Sequence, residues 1–477
     1  MDAQAQAVVS AFSLQNMLSA QRAAFAANPP PNKGERRQRL KLLKRSLLSY
    51  KDVLAAAESR DFGGHSLDEV MLAEIFPLIE ALNAAIRHVG WWMKPSRRRV
   101  ALPMQPSSAQ VIYQPLGIVG VVTPWNYPLL LSIGPLINII AAGNRAMIKM
   151  SEYTPATAQA LRTMLAQVFP ADQVAVVTDD MGVLAEEFVR LRFDHLVFTG
   201  SGRVGRLVMR AAADNLVPVT LELGGKSPVI IGEDAPLAMA AERICWGKSL
   251  KSGQSCTAPD YVWCPRRLVD QFVEAYRVCY SRMFPTLRDN PDCTSIINDG
   301  HYRRLRELVD DAKAKGARVE EINPALEMLS DTRKLPVFLV RNADDSMRIM
   351  QEEIFGPILP ILAYDRIEDA LDYVNHHPRP LALYLFSFDH SLQQRVVATT
   401  HSGAVSFNDT MTHAGVSDLP FGGIGGSGMG HYHGYEGFLA FSKAKGIFSK
   451  GRFNSSRQIY APYGRLMQRI TLRLTFR

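Results

Sequence analysis

The sequence predicts an α/β protein built on parallel, doubly wound sheets, and three observations carry that expectation. The chain has 477 residues, 47% hydrophobic and 21% charged. At roughly 150 residues per domain that is room for about two or three domains with large cores. Short β-rich runs alternate with helical stretches, as strand–helix–strand crossovers do. The alternation then resumes in the second half, so two α/β domains in series is the simplest organisation. Disordered and collagen-like chains are excluded, because 33 Gly and 28 Pro are ordinary values at this length.

Residues 3–93 read as helices: an Ala-rich start, a basic stretch over 33–45 that reads as a solvated helix face, and apolar residues at helical spacing over 67–92. Residues 97–114, with two prolines and β-prone ends, read as a hairpin standing off the body as an oligomer contact. From Val100 to Asn144 there is no Asp, Glu, Lys, Arg or His, but Pro103, Pro106, Pro115, Pro124, Pro128 and Pro135 interrupt the run. No clean apolar span of about 20 residues is left to cross a bilayer, so the run reads as buried core. Next come a strand at 116–122, a helix at 129–142, a strand at 146–150, a helix at 155–168, a strand at 174–177, a helix at 182–190 and a strand at 195–199. Beyond Ser227 strands are expected at 229–231, 261–264, 358–363, 381–388 and 404–408, separated by helices such as 237–250 and 303–315.

Formal net charge is +8, yet residues 443–477 hold nine Lys and Arg with no acid, which leaves the body at 45 − 46 = −1. A neutral body with a basic tail argues against a nucleic-acid-binding protein, and no recognition motif for DNA or RNA is present. Along the tail, Arg465, Arg469, Arg473 and Arg477 recur at helical spacing while Leu472, Leu474 and Phe476 alternate as in a strand, so helix and strand both stay open. The tail is too short and polar to span a bilayer; resting on an anionic surface is an alternative to a solvated or dimer-packed extension. The five cysteines, Cys245, Cys256, Cys264, Cys279 and Cys293, are an odd set with no C-x-x-C pair, which argues against a disulfide framework and a zinc site. With an early Asp2 and no signal-peptide pattern, a cytoplasmic protein is expected. His431 and His433 lack a third metal ligand, and no metal is expected.

Gly200-Ser201-Gly202-Arg203-Val204-Gly205 is a literal G-x-G-x-x-G after a strand, with Glu222 about 20 residues on, where a ribose ligand would stand. Gly423-Ile424-Gly425-Gly426-Ser427-Gly428 fits equally, so the pattern alone selects little. Gly225-Lys226-Ser227 and Gly247-Lys248-Ser249 lack the leading glycine of a triphosphate loop. More informative is Gly253-Gln254-Ser255-Cys256-Thr257-Ala258-Pro259, which places a cysteine on a turn facing a cleft, unlike Cys245 and Cys279 within amphipathic helices. A thiolate attacks carbonyl carbon well, but the oxyanion needs donors and a later water needs a base. Asn126, between Pro124 and Pro128, offers an amide donor in a rigid place. Glu222, an acid in an apolar stretch, would have its pKa raised by burial toward that of a base. A turn asparagine and a partnered strand-end acid are the alternatives for these two.

Pro124-Trp125-Asn126-Tyr127-Pro128, Phe198-Thr199-Gly200-Ser201, the stretch 221–228, the stretch 253–259, Glu352-Glu353-Ile354-Phe355-Gly356-Pro357 and Leu419-Pro420-Phe421-Gly422-Gly423 occur in the order found in aldehyde dehydrogenases. The resemblance covers nearly the whole chain. Ala258-Pro259-Asp260-Tyr261 and the stretch 428–434 resemble the class 3 and fatty-aldehyde branch; 93–99 and 148–155 resemble most its bacterial coniferyl-aldehyde members. The resemblance implies an NAD-binding Rossmann-like domain over 1–96 and 115–222, a catalytic domain over 223–402, an oligomerisation or bridging arm over 97–114 and 403–445, and a basic tail over 446–477. It makes Cys256 the nucleophile, Asn126 and the Cys256 N–H the oxyanion hole, and Glu222 the general base. Adenosine ribose falls to Lys149 and Glu152, the pyrophosphate to the helix opening at Gly200, Ser201 and Gly205, and the nicotinamide ribose to Glu353, with Phe355, Trp125 and Leu223 lining the cofactor site. The reaction implied is NAD(P)-dependent oxidation of an apolar or aromatic aldehyde, coniferaldehyde-like or medium to long aliphatic, through a thiohemiacetal and thioester. NAD⁺ is expected over NADP⁺ because Glu152 would repel a 2′-phosphate, although class 3 relatives use both. A homodimer is expected. A CoA-acylating enzyme and a non-catalytic binding protein on the same fold are the alternatives; Glu222 favours water as acceptor, and intact Cys256, Asn126 and Glu222 favour catalysis.

Overall fold

The computed structural model describes residues 3–101, 104–454, 457 and 460–476; the readings of the first two residues, of Pro103 and of Arg477 lie outside the described residues. Two largely parallel sheets and a three-stranded arm make the framework, with strands numbered here in chain order. The first sheet runs in the spatial order β15 (Gly428–Met429), β7 (Val219–Leu223), β6 (His195–Gly200), β3 (Ile118–Val122), β4 (Arg145–Lys149), β5 (Val174–Val177). All its pairs are parallel except β15 with β7. The chain steps outward from β3 to β5, then returns to the other side of β3 with β6 and β7. The strand order therefore reverses between β3 and β6, and in a doubly wound sheet ligands bind beyond the carboxyl ends at that point. Asn126, Lys149, Gly200 and Leu223 all stand at or just past such ends.

The second sheet runs β10 (Arg318–Ile322), β11 (Val337–Arg341), β12 (Ile358–Tyr364), β9 (Tyr261–Pro265), β8 (Pro228–Ile231), β13 (Ala382–Phe386), β14 (Ala404–Phe407), parallel apart from β10. In the arm, β2 (Ser107–Pro115) lies between β1 (Ser96–Arg98) and β16 (Ser442–Lys450), all antiparallel. The hairpin expected over 97–114 is thus present. Segment 403–445, expected wholly in the arm, is instead shared out: β14 edges the second sheet, β15 extends the first, and β16 carries the arm on to Lys450. β14 finds its ladder on β13 and β15 on β7, while β16 pairs with β2 from Ser442 opposite Pro115 to Lys450 opposite Ser107, which carries the arm past residue 445 despite a basic sequence.

The helices cover both faces of each sheet as crossover topology requires. Val119, Val121, Ile148 and Val197 of the first sheet pack with Leu136 and Ile140 of the uncharged helix Leu130–Ala142 and with Leu47 and Leu82 of the N-terminal helices. Val229, Val262, Leu339 and Tyr384 pack with Ile244, Phe272 and Tyr276 in the second. Helix Lys33–Phe62 begins at a capping box, Asn32 with Glu35, and ends at Gly63 with φ 70°, the conformation that favours glycine. Not all of its basic run is solvated: Arg36 is buried and donates to the carbonyls of Ala141 (2.9 Å) and Pro31 (2.8 Å). The end of the basic tail, which the sequence left open, is a helix over Leu466–Thr475.

Candidate active site

Cys256 lies on the segment that leaves helix Leu237–Ser249 and enters β9. The turn is tight: Lys251, Ser252 and Gly253 have φ of 51°, 52° and 72°. At Gly253 a Cβ would lie 2.5 Å from the Gly356 carbonyl oxygen, so only glycine lets the loop pass beneath residue 356. The loop is pinned on every side. Tyr384 donates its hydroxyl to the Thr257 carbonyl (2.6 Å), Ser227 Oγ donates to the Cys256 carbonyl (3.4 Å), and the Asp260 N–H donates to the Ser227 carbonyl (2.8 Å). The Cys256 side chain remains half-buried, while Cys245, Cys264 and Cys293 are buried.

The loop after β3 brings Asn126 to the same place. It is buried, and Nδ2 donates to the Gln254 carbonyl (3.2 Å), two residues before the nucleophile candidate. On β7, Glu222 is paired in register with Thr199 and Gly428. It is 2% exposed, and neither carboxylate oxygen has a hydrogen-bond partner. Burial holds its carboxyl well above the usual carboxylate range. Burial pushes the Cys256 thiol up to about 12, with negative charge on Glu353 and Glu222 adding to the rise. Both acids are themselves raised by burial, Glu353 to about 8 and Glu222 well above the usual carboxylate range. The structure thus places together a thiol, an amide donor bonded two residues before it, and a buried acid whose two oxygens have no hydrogen-bond partner.

The candidate cofactor residues line the switch point. Ser201 caps helix Gly202–Ala213, its Oγ accepting the Val204 N–H (3.4 Å), so the helix N-terminus opens toward the crevice as a pyrophosphate site requires. At Gly205 a Cβ would meet Leu223 Cδ2 at 2.6 Å, and its absence lets the helix lie close on β7. Lys149 is buried with Nζ on the Met150 carbonyl (2.8 Å); burial lowers its pKa while Glu152 and Asp179 act against that. Glu152 itself is exposed. Glu353 fills the space left by Gly224, where a Cβ would come 2.0 Å from Glu353 Oε2, and its Oε1 is buried without a partner. Phe355, at φ 52°, meets Trp125 edge-on at 5.4 Å between ring centroids. An orphaned carboxylate oxygen, a capped helix end and glycines at the closest approaches are what a dinucleotide needs, so the residues present fit NAD.

Several contributors escaped the motif reading. Lys226 ion-pairs with Asp260 and donates to the carbonyls of Ile349 (2.6 Å) and Glu352 (3.1 Å). Asp260 accepts the Ile354 N–H (2.9 Å), and Arg304 donates to the carbonyls of Glu353 (2.9 Å) and Ile354 (2.7 Å). Together they hold the Glu353 loop. Lys226 and Asp260 lie within stretches that carry the family resemblance; Arg304, on helix Asp299–Ala314, carries no local signal. Among the described residues no group of three or more His, Cys, Asp or Glu is placed to hold a metal, and no helix is long and apolar enough to cross a membrane.

Residues 4–447 match the family model described as the aldehyde dehydrogenase family. The chain is 54% identical over 464 residues to a "Probable coniferyl aldehyde dehydrogenase" of Pseudomonas aeruginosa, covering 97% of this chain and 96% of the relative. Among solved structures, Staphylococcus aureus AldH in a substrate-bound state aligns with a TM-score of 0.90 at 34% identity, over 96% of this chain and 99% of that one. A betaine aldehyde dehydrogenase from Staphylococcus aureus in complex with NAD⁺ aligns with a TM-score of 0.83 at 26% identity, over 92% of this chain and 88% of that one.

Proposed function

The chain belongs to the aldehyde dehydrogenase family, and from that premise we propose that it oxidises an aromatic aldehyde of the coniferaldehyde type to the carboxylic acid with NAD⁺. The observation that carries the mechanism is Glu222, buried with two unpartnered oxygens in the electrostatic neighbourhood of Cys256. The Cys256 thiol gives up its proton to water and the thiolate Sγ adds to the aldehyde carbon; the C=O electron pair moves to oxygen, and the oxyanion of this thiohemiacetal takes hydrogen bonds from Asn126 Nδ2 and the Cys256 N–H. Asn126 is held for that task by its bond to the Gln254 carbonyl. NAD⁺, when bound, supplies the acceptor for the hydride that leaves the thiohemiacetal carbon. Cys256 then carries a thioester, and Glu222 takes a proton from the water that hydrolyses it. General-base assistance of this kind contributes about 10²–10⁴-fold. Glu353 would hold the nicotinamide ribose, Ser201 and the helix behind it the pyrophosphate, and Lys149 with Glu152 the adenosine ribose.

The substrate class rests on the relative's name together with Trp125, Tyr127 and Phe355 around the cysteine loop. Preference for NAD⁺ rests on exposed Glu152, whose carboxylate accepts from a free 2′-hydroxyl and repels a 2′-phosphate. A homodimer formed through the arm and β14 suits the position of β14 at the open end of its sheet. The test is kcat/KM for coniferaldehyde, benzaldehyde, hexanal and a long-chain aldehyde with each cofactor. Coniferaldehyde with NAD⁺ is expected to lead; a clear NADP⁺ preference, or hexanal ahead of coniferaldehyde, overturns the corresponding part.

A further inference from the structure

Beneath the Cys256 loop lies a buried charge cluster that the chemistry above does not use. Lys251, Glu58 and Glu74 are each 0% exposed. Lys251 Nζ ion-pairs with Glu58 and donates to Glu74 Oε1 (2.8 Å), and it stands 4.2 Å from the ring centroid of Tyr127 and 5.0 Å from that of Phe62. Glu58 is backed by His65 Nε2 at 3.6 Å. Three ionisable side chains this deep are costly to bury, and Lys251 adopts a left-handed backbone conformation to take part.

The connections of the cluster run to both halves of the oxyanion site. Glu74 Oε2 accepts the N–H groups of Leu129 (2.9 Å) and Leu130 (2.8 Å), where the Pro124–Pro128 loop passes into its helix. The Lys251 carbonyl accepts from the Gln254 N–H (3.1 Å) and from Gln254 Nε2 (3.0 Å). The Gln254 carbonyl in turn accepts from Asn126 Nδ2. The path closes on itself: from the Lys251 side chain through Glu74 to the end of the Asn126 loop, and from the Lys251 backbone through Gln254 to Asn126. Tyr127, beside Asn126, is pressed on the ammonium by its ring. We propose that Lys251 is a positioning residue that clamps the Asn126 loop to the Cys256 loop and thereby sets the oxyanion hole; this rests on the active-site reading above.

A misplacement of about 1 Å at such a site costs about 10²-fold, comparable to losing an oxyanion donor. In the full-length enzyme, Lys251→Met is therefore expected to slow the pre-steady-state NADH burst with coniferaldehyde by about 10- to 100-fold. NAD⁺ affinity and the rate of Cys256 alkylation by iodoacetamide, which needs no oxyanion hole, stay within about threefold of wild type. The decisive arm is a double-mutant cycle with Asn126→Ala. If Lys251 acts through Asn126, adding Lys251→Met to Asn126→Ala slows the burst less than about twofold further. Multiplicative losses, or a wild-type burst in Lys251→Met, overturn the proposal. A wild-type burst in Asn126→Ala alone instead overturns the active-site reading. Should Lys251→Met not fold, the Glu58→Gln/Lys251→Met/Glu74→Gln variant, which removes the charge of all three groups together, carries the same cycle with the same outcomes.

Discussion

Glu353 links cofactor binding to pH in a way that can be worked from its surroundings. Its carboxyl is raised from an ordinary 4.5 to about 8, chiefly by burial and next by the charge of Asp260. At pH 7 about a tenth of it is ionised, and at pH 9 about nine tenths. A carboxylate accepts both ribose hydroxyls, whereas the protonated acid can accept fewer and its own proton needs a partner. If the ionised form is the one that binds, NAD⁺ affinity rises about tenfold between pH 7 and pH 9. Stability of the free enzyme moves the other way. The folded pKa lies above the unfolded one, so the contribution is fully present below about 4.5 and is lost as pH climbs to about 8, by at most about 5 kcal/mol. Glu353→Gln removes both dependences. The assays are NAD⁺ titration by quenching of protein fluorescence and thermal unfolding, each from pH 6 to 9. A wild-type Kd that is flat with pH, or a slope that survives in Glu353→Gln, refutes the reasoning.

Other expectations follow from the same geometry. Glu222→Gln retains shape and loses the base, so the NADH burst survives while steady turnover falls about 10²–10⁴-fold and acyl-enzyme accumulates; equal loss of burst and turnover contradicts a role in hydrolysis. Gly253→Ala forces a Cβ against the Gly356 carbonyl at positive φ and should lower Tm and slow Cys256 alkylation together, whereas a wild-type alkylation rate shows that the turn is not constrained. Deleting residues 465–477 removes the helix Leu466–Thr475, most of whose described residues are exposed, and should leave kcat/KM within about twofold, as surface changes do; a larger loss ties the tail to the site.

The first sheet and the residues at its carboxyl ends were legible because their signals are local: continuous apolar runs for β3 to β6, and Asn126, Glu222 and Cys256 as polar groups standing out from apolar or glycine-rich surroundings. β10 and β16 were not legible. β10 reads Arg-Val-Glu-Glu-Ile and pairs only with β11, and β16 reads as a basic tail until β2 supplies its ladder. β7 runs directly into Gly224-Gly225, and its short Val-Thr-Leu-Glu-Leu run carries an acid that masks the strand pattern. Lys251 was invisible for a different reason. Its partners Glu58 and Glu74 are 193 and 177 residues away in sequence, so a lysine on a turn looks solvated until the tertiary fold closes over it. Arg304 is concealed in the same way: it lies on a helix 49 residues before Glu353, whose carbonyl it holds.

The nucleophile is the point on which the account turns, and the rate of NADH formation by Cys256→Ala with coniferaldehyde, in enzyme shown to bind NAD⁺ normally, tests it most directly. The account predicts a loss on the order of 10⁴-fold or more, to near the uncatalysed background. Oxidation continuing at the wild-type rate would contradict it.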